Sequence, residues 1–167
     1  MTIEITDLVD DLATENTILI FGAGASVSSD APSVSKLIQA ISTKFGIDAA
    51  GLSLKEIASL VEVRKNRSEL VGLIRSMIKG LKAKGALLNI PHYAWKNIFT
   101  TNYDELVENS YERAGQPLSV ISSNFDFTAD SHLGATKLFK LHGTIHKDIV
   151  DGHVSRMIIT ETDYDHT

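Results

Sequence analysis

The sequence predicts an α/β fold: a parallel sheet with flanking helices and a small helical insertion. Three observations carry that prediction. The apolar run Ile18-Leu19-Ile20-Phe21 breaks into a loop of small residues, Gly22-Ala23-Gly24-Ala25-Ser26, and a helical pattern follows from Ser35. A second apolar run ends in Thr100-Thr101-Asn102-Tyr103-Asp104, and a third ends in Lys140-Leu141-His142-Gly143. Strand, polar turn and helix form the repeating unit of a parallel sheet. Such sheets bind ligands beyond the carboxyl ends of their strands. Three polar motifs at three strand ends therefore point to one site.

The elements follow in order. Residues 6–13 read as a short helix, with Thr6 as N-cap and Leu8, Val9 and Leu12 on one face. Residues 17–21 are a buried strand. Residues 35–45 form a helix with Leu37, Ile38, Ile41 and Phe45 on its apolar side and Gly46 as its stop. Ser53 and Glu56 have the spacing of a capping box and open a helix through Ile57, Leu60 and Val61. Ser68 starts another, with Val71, Ile74, Ile78 and Leu81 at helical spacing, ending near Gly85. Residues 97–101 are a strand, and residues 104–114 a helix closed by Gly115 and Pro117. Residues 118–122 and 136–141 are further strands. Asp151-Gly152 predicts a hairpin turn between residues 145–150 and 154–159. The helices within about residues 48–92 interrupt a βαβ rhythm, so the whole reads as one Rossmann-like domain over residues 1–167 with a helical insertion. The chain stops just after Thr160-Glu161-Thr162-Asp163-Tyr164, which has the form of a helix start. That predicts an N-terminal fragment of a longer protein.

Composition narrows the function classes. A chain of 167 residues makes one domain, and a domain of that size buries roughly 70% of its unfolded surface without staples. The formal net charge of −5 argues against direct nucleic-acid binding. No segment is long and apolar enough to span a membrane. The acidic N-terminal stretch lacks a basic-then-apolar signal pattern, so the expected location is the cytoplasm. The absence of cysteine rules out disulfides and any thiolate zinc site.

The GAGAS loop at Gly22–Ser26, the Thr101-Asn102-Tyr103-Asp104 strand end and the Leu141-His142-Gly143 strand end together resemble the sirtuin-like NAD-binding domains. The resemblance runs from about Ile18 to Gly143, and residues 160–164 share it. Two departures set it closer to the bacterial NAD-consuming branch than to the protein deacylases. The deacylases carry a four-cysteine zinc module after the His-Gly pair, and this chain has no cysteine. They also carry Pro-Asp-Phe-Arg after the glycine loop, where this chain reads Ala31-Pro32-Ser33-Val34. The resemblance implies an NAD hydrolase acting as an NAD-depleting effector in bacterial antiphage defence. It further implies a homo-oligomer, with a sensor or NTPase domain or subunit as partner, NAD as substrate and no metal.

The residues suit that chemistry. NAD is a glycoside whose leaving group is a cationic nicotinamide, and its cleavage passes through an oxocarbenium-like state. Gly22, Ala23, Gly24 and Ser26 suit a diphosphate through backbone N–H groups and one hydroxyl. Ala25, Thr101 and Gly143 complete the expected binding set. Asn102 offers a donor and an acceptor to orient a water or a ribose hydroxyl. Asp104 can accept from the nicotinamide carboxamide. His142 can act as a neutral base near pH 7. Water as nucleophile gives ADP-ribose; the adenine of the substrate as nucleophile gives cyclic ADP-ribose. Structural alternatives stand beside each assignment. The glycine loop serves as a tight turn, Asn102 or Asp104 as a helix N-cap, and His142 as a buried structural histidine. Val27 occupies the last glycine position of a G-x-G-x-x-G fingerprint, and no clear strand ends in an acid about 20 residues on, which argues against a nicotinamide dehydrogenase. His92, His132, His146, His153 and His166 are expected at the surface. Tyr93 and Trp95 are expected to anchor the insertion to the core. Arg64-Lys65-Asn66-Arg67 reads as a solvated helix end. The function class opposed to the hydrolase is a regulatory or assembly module that binds NAD or ADP-ribose without turnover.

Overall fold

The structure, a computed structural model, describes residues 12–123, 134–148 and 156–165. Four strands form one parallel sheet: β1 (Ile18–Phe21), β2 (Asn97–Thr100), β3 (Leu118–Ile121) and β4 (Thr136–Lys140), in the order β1-β2-β4-β3. The helices are α1 (Val34–Phe45), α2 (Leu54–Arg64), α3 (Arg67–Ile78), α4 (Leu106–Ala114) and α5 (Glu161–Asp165). The expected α/β architecture is therefore present, with a parallel sheet flanked by helices.

Local signals account for the boundaries. Ser33 Oγ accepts from the Lys36 N–H at the start of α1, and Gly46, at φ 64°, ends the helix in the left-handed conformation. The Ser53–Glu56 capping box is complete: the Ser53 N–H donates to Glu56 Oε2 at 2.8 Å and the Glu56 N–H to Ser53 Oγ. Asn66 Oδ1 accepts from the Glu69 N–H at 2.8 Å and caps α3 two residues before the expected start. That helix ends at Ile78, well before Gly85, because Gly80 turns the chain at φ 78°. Residues 85–92 wind instead as a 3₁₀ helix.

The two faces of the sheet differ. Ile98 and Leu138 are fully buried under α4 and the 85–92 segment, against Leu106, Tyr111, Leu87 and Ile90. Trp95 packs against this cluster and donates to the Ile90 carbonyl at 2.9 Å, which ties the segment before β2 to the core, whereas Tyr93 is exposed. The opposite face carries Ile20, Phe99 and Phe139 in register. The two phenylalanine rings stack at 4.7 Å, and Ile20 on the edge strand is 75% exposed.

A second cluster joins α1, α2 and α3 to the segments around residues 145 and 157–159. Ile41, Ile57, Val61, Leu70 and Ile74 pack there against Ile145, Met157 and Ile159. The expected hairpin spans residues 145–159. Its Asp151-Gly152 turn lies outside the described residues, and the described flanks, 145–148 and 156–159, form no strand. Their polar groups are satisfied otherwise: the Met157 N–H donates to Asp148 Oδ2 at 2.9 Å and the Ile158 N–H to the His142 carbonyl at 3.1 Å. Most of the helix expected at residues 6–13 also lies outside the described residues. No helix among the described residues is long and apolar enough to cross a membrane.

Candidate functional site

The strand order decides which loops meet. β1, β2 and β4 are consecutive in the sheet and parallel, with Phe21, Thr100 and Lys140 at one level. The segments that follow them therefore emerge side by side, across about 10 Å at the usual interstrand spacing. Two bonds continue the ladder past the strand ends, from the Thr101 N–H to the Phe21 carbonyl (3.1 Å) and from the Leu141 N–H to the Thr100 carbonyl (2.8 Å). The three motifs thus share one place.

A cavity of about 290 Å³ opens there. Ala23, Ser26, Thr101, Asn102, Asp104 and His142 line its polar side, which brings together six of the residues expected from sequence. Gly22, Gly24, Ala25 and Gly143 stand next to it in the chain but do not line it. The remaining wall is largely apolar, built by Pro32, Val34 and Leu37 at the start of α1, Leu54 of α2, and Ile74 and Ile78 of α3. Cavities of this kind, apolar with a few convergent polar groups, suit small ligands.

The polar side chains form a chain of hydrogen bonds. Asn102 Nδ2 donates to the Gly22 carbonyl at 3.0 Å and to Ser26 Oγ at 2.9 Å. Ser26 Oγ in turn donates to Asp104 Oδ2 at 2.8 Å, and Asp104 Oδ1 accepts from the Leu106 N–H at 3.1 Å. The Gly22 carbonyl is acceptor only, so it fixes the Asn102 amide with its NH₂ toward the loop and leaves Oδ1 as the acceptor to offer. Ser26 is buried and its proton is committed to Asp104. Its hydroxyl shapes the loop, where the sequence suggested a free donor. Asp104 lines the cavity and also accepts from the first N–H of α4, close to the capping alternative considered for it.

The backbone of the glycine loop is helical after Gly22. Residues Ala23–Ser29 wind as a 3₁₀ helix, Gly22 is extended at φ −111°, and Gly24 has no positive φ. Neither glycine is demanded by a left-handed conformation. A Cβ on Gly24 would meet nothing within 4 Å, so what glycine leaves there is open space. Gly143 is the opposite case. It sits at φ 74°, and a Cβ would come within 3.2 Å of the Arg156 carbonyl. Gly143→Ala is expected to destabilise the fold by about 1–3 kcal/mol. Urea unfolding that matched wild type would show that the 142–144 and 156–158 segments do not need this close approach.

His142 and its neighbours complete the site. Burial pushes the imidazole below its ordinary 6.5, which favours the neutral form at pH 7. Tyr103 and Tyr164 flank the ring, with centroids at 6.3 and 5.5 Å. The Tyr103 hydroxyl donates to the Ile158 carbonyl at 2.7 Å, and burial raises its phenol pKa. Lys140, fully buried at the end of β4, binds the Asp104 carbonyl and Glu108 Oε1, the latter at 2.7 Å, and so ties the 101–106 segment to the strand that carries His142. Burial also raises the Glu108 carboxyl, opposed by the Lys140 charge.

Sequence reasoning missed three of these residues. Lys140 and Tyr103 lay inside quoted motifs without a role, and Tyr164 stood in the helix-start motif. His146 is exposed, as expected, and pairs with Glu105 at 2.9 Å; His92 is exposed as well. His132, His153 and His166 lie outside the described residues. Among the described residues no group of three acidic or histidine side chains could hold a metal ion.

No curated protein matches the chain. The family model of the SIR2-like domain matches residues 96–167. That stretch holds β2, the Asn102 and Asp104 segment, β4, His142 and Tyr164, while β1 and the glycine loop lie outside it and are brought to it by the sheet. Over this part the chain is similar to the sirtuin-like family, and the similarity supports an NAD-related function.

Proposed function

We propose that the chain is an NAD glycohydrolase domain that cleaves NAD to nicotinamide and ADP-ribose. The observation that carries the reading is the convergence of Asn102 and His142, from two different strand ends, on one cavity with an apolar wall. The C–N bond between the nicotinamide and its ribose breaks, and its electron pair leaves with the nicotinamide nitrogen. A water oxygen bonds to the anomeric carbon, and the proton it loses passes to His142. Asn102 Oδ1 is the acceptor placed to orient that water or a ribose hydroxyl. The apolar wall suits the departing pyridine ring, and exclusion of water there strengthens every polar contact on the other side. Attack by the substrate's own adenine gives cyclic ADP-ribose from the same groups.

The wider role proposed, an NAD-depleting antiphage effector working as a homo-oligomer with a sensor or NTPase partner in the cytoplasm, rests on the resemblance of the three motifs. One structural observation favours the opposing class, an NAD- or ADP-ribose-binding module. Ser26, Asn102 and Asp104 are bonded to one another, which is also how a rigid binding loop is held. Incubation with NAD and chromatography for nicotinamide separates the two. Nicotinamide release is the expected result. Saturable NAD binding by calorimetry without release would establish the binding module instead.

A further inference from the structure

Tyr164 lines the cavity, 22 residues beyond His142 in the chain. Its ring meets the His142 imidazole edge-on, at 84° and 5.5 Å between centroids, while Tyr103 approaches the same imidazole at 33°. Edge-to-face pairs of this geometry are attractive beyond their buried area. Tyr164 is nevertheless 44% exposed, so filling a core does not explain an aromatic there.

Its support is stiff. Asp163, the preceding residue, is buried and accepts from Arg67 Nη1 at 3.0 Å, from Arg156, and from the N–H groups of Ile159 (3.1 Å) and Thr160 (2.9 Å). The Glu161 N–H donates to Ser59 Oγ of α2 at 2.9 Å. Five residues of helix are thus pinned at their start so that one exposed ring rests on the histidine.

We propose that Tyr164 is a positioning residue for His142: its ring holds the imidazole in one orientation against Tyr103 and keeps water from one of its sides. The catalytic consequence rests on the NAD-cleavage reading; the contact itself does not. The titratable and charged groups around the imidazole are Tyr103 on the β2–α4 segment, Tyr164 on α5 and Asp104 across the cavity, with Asp163 and Arg67 behind the tyrosines. Desolvation is what depresses the imidazole pKa, and Tyr164 is one of the two rings packed beside it.

The test uses the full chain, with the His142 ring proton followed by NMR titration and assigned by its loss in His142→Ala. Nicotinamide release is measured on the same samples. In Tyr164→Ala the His142 midpoint is expected to move up toward 6.5 as water reaches the ring. The kcat is expected to fall about 10-fold or more, with little change in KM, because a misplaced catalytic group costs rate more than binding. Tyr164→Phe keeps the ring edge and is expected to restore both values. If Tyr164→Ala lowers the melting temperature, Tyr164→Leu, which keeps apolar bulk without an aromatic edge, is expected to lower kcat in the same way while moving the midpoint less. An unchanged midpoint and kcat in the alanine variant, or an unchanged kcat in the leucine variant, overturns the proposal, as does failure of the phenylalanine variant to restore them. A midpoint that moves in a protein whose wild type releases no nicotinamide upholds the positioning role and overturns the NAD-cleavage reading alone.

Discussion

His142→Ala is expected to lower nicotinamide release by about 10²–10⁴-fold, the contribution typical of a positioned general base, while NAD binding stays within a few-fold of wild type. The scaffold around the residue does not depend on its ring. The His142 carbonyl is held by the Ile158 N–H, and Gly143 fixes the turn that follows. The melting temperature should therefore move little. In the wild type the acid limb of kcat/KM is expected below pH 6.5, because burial lowers the imidazole pKa and the base must be neutral to act. The same burial has a stability consequence of defined sign. The unfolded chain binds the histidine proton near its ordinary value and the folded chain only at lower pH. Stability attributable to this group therefore declines as pH falls below 6.5. Asn102→Ala should behave differently. It removes two donated hydrogen bonds that hold the glycine loop, so turnover and binding are both expected to fall. Chromatography of nicotinamide, calorimetry with NAD and thermal melts read all three quantities. Near-normal turnover by His142→Ala with a normal melt would remove the histidine from the chemistry.

The strand ends were legible because their signals are local. An apolar run followed by Gly22-Ala23-Gly24, by Thr101-Asn102 or by His142-Gly143 marks where a strand must stop. Parallel order then requires those stops to lie on one side of the sheet. The Ser53–Glu56 box and the glycine stops at Gly46 and Gly115 were legible for the same reason, since each acts within four residues of itself. What failed was whatever depends on a distant partner. The Ser26 hydroxyl looked free for a ligand because Asn102 and Asp104, 76 and 78 residues away, cannot be seen from the loop. The pattern around Asp151-Gly152 likewise gives no hint that Ile145, Met157 and Ile159 pack into the α1–α3 cluster. Arg67 is the largest such miss. It was read with Arg64 and Lys65 as solvated charge, and its side chain is only 10% exposed.

Arg67→Ala is expected to destabilise the protein by about 3–5 kcal/mol, the usual consequence of leaving a buried charge without its partner. The guanidinium spans three elements. Nη2 meets Asp148 Oδ2 at 2.6 Å and the Met157 carbonyl at 2.7 Å, and Nη1 meets Asp163 Oδ2 at 3.0 Å. Both carboxylates are buried; removing the arginine takes the guanidinium partner from Asp148, while Asp163 keeps Arg156. Lysine cannot replace it, since one ammonium cannot form this planar fork. Burial alone would raise the Asp163 carboxyl. Hydrogen bonds from Arg156, Thr160 and Ile159 and the Arg67 charge outweigh it and hold the pKa at about 2. Asp163 therefore stabilises the fold fully above its ordinary 3.8, and that stability is lost as pH falls from there toward about 2. In Arg67→Ala the acid transition should begin at higher pH, because part of what lowers the Asp163 pKa is gone. Asp148→Asn and Asp163→Asn added to Arg67→Met should recover much of the loss, since the uncompensated charge at Asp148 and the weakened pairing at Asp163, not the missing contacts, dominate it. The consequence reaches the candidate site. Asp163 anchors the segment that carries Tyr164, and Arg156 and Met157 form the surface beneath Gly143, so the wall beside His142 loosens with the arginine. Thermal melts of the single and triple variants decide the matter. A wild-type melting temperature in Arg67→Ala would mean that this ionic cluster does not hold the 144–148 and 156–163 segments in place.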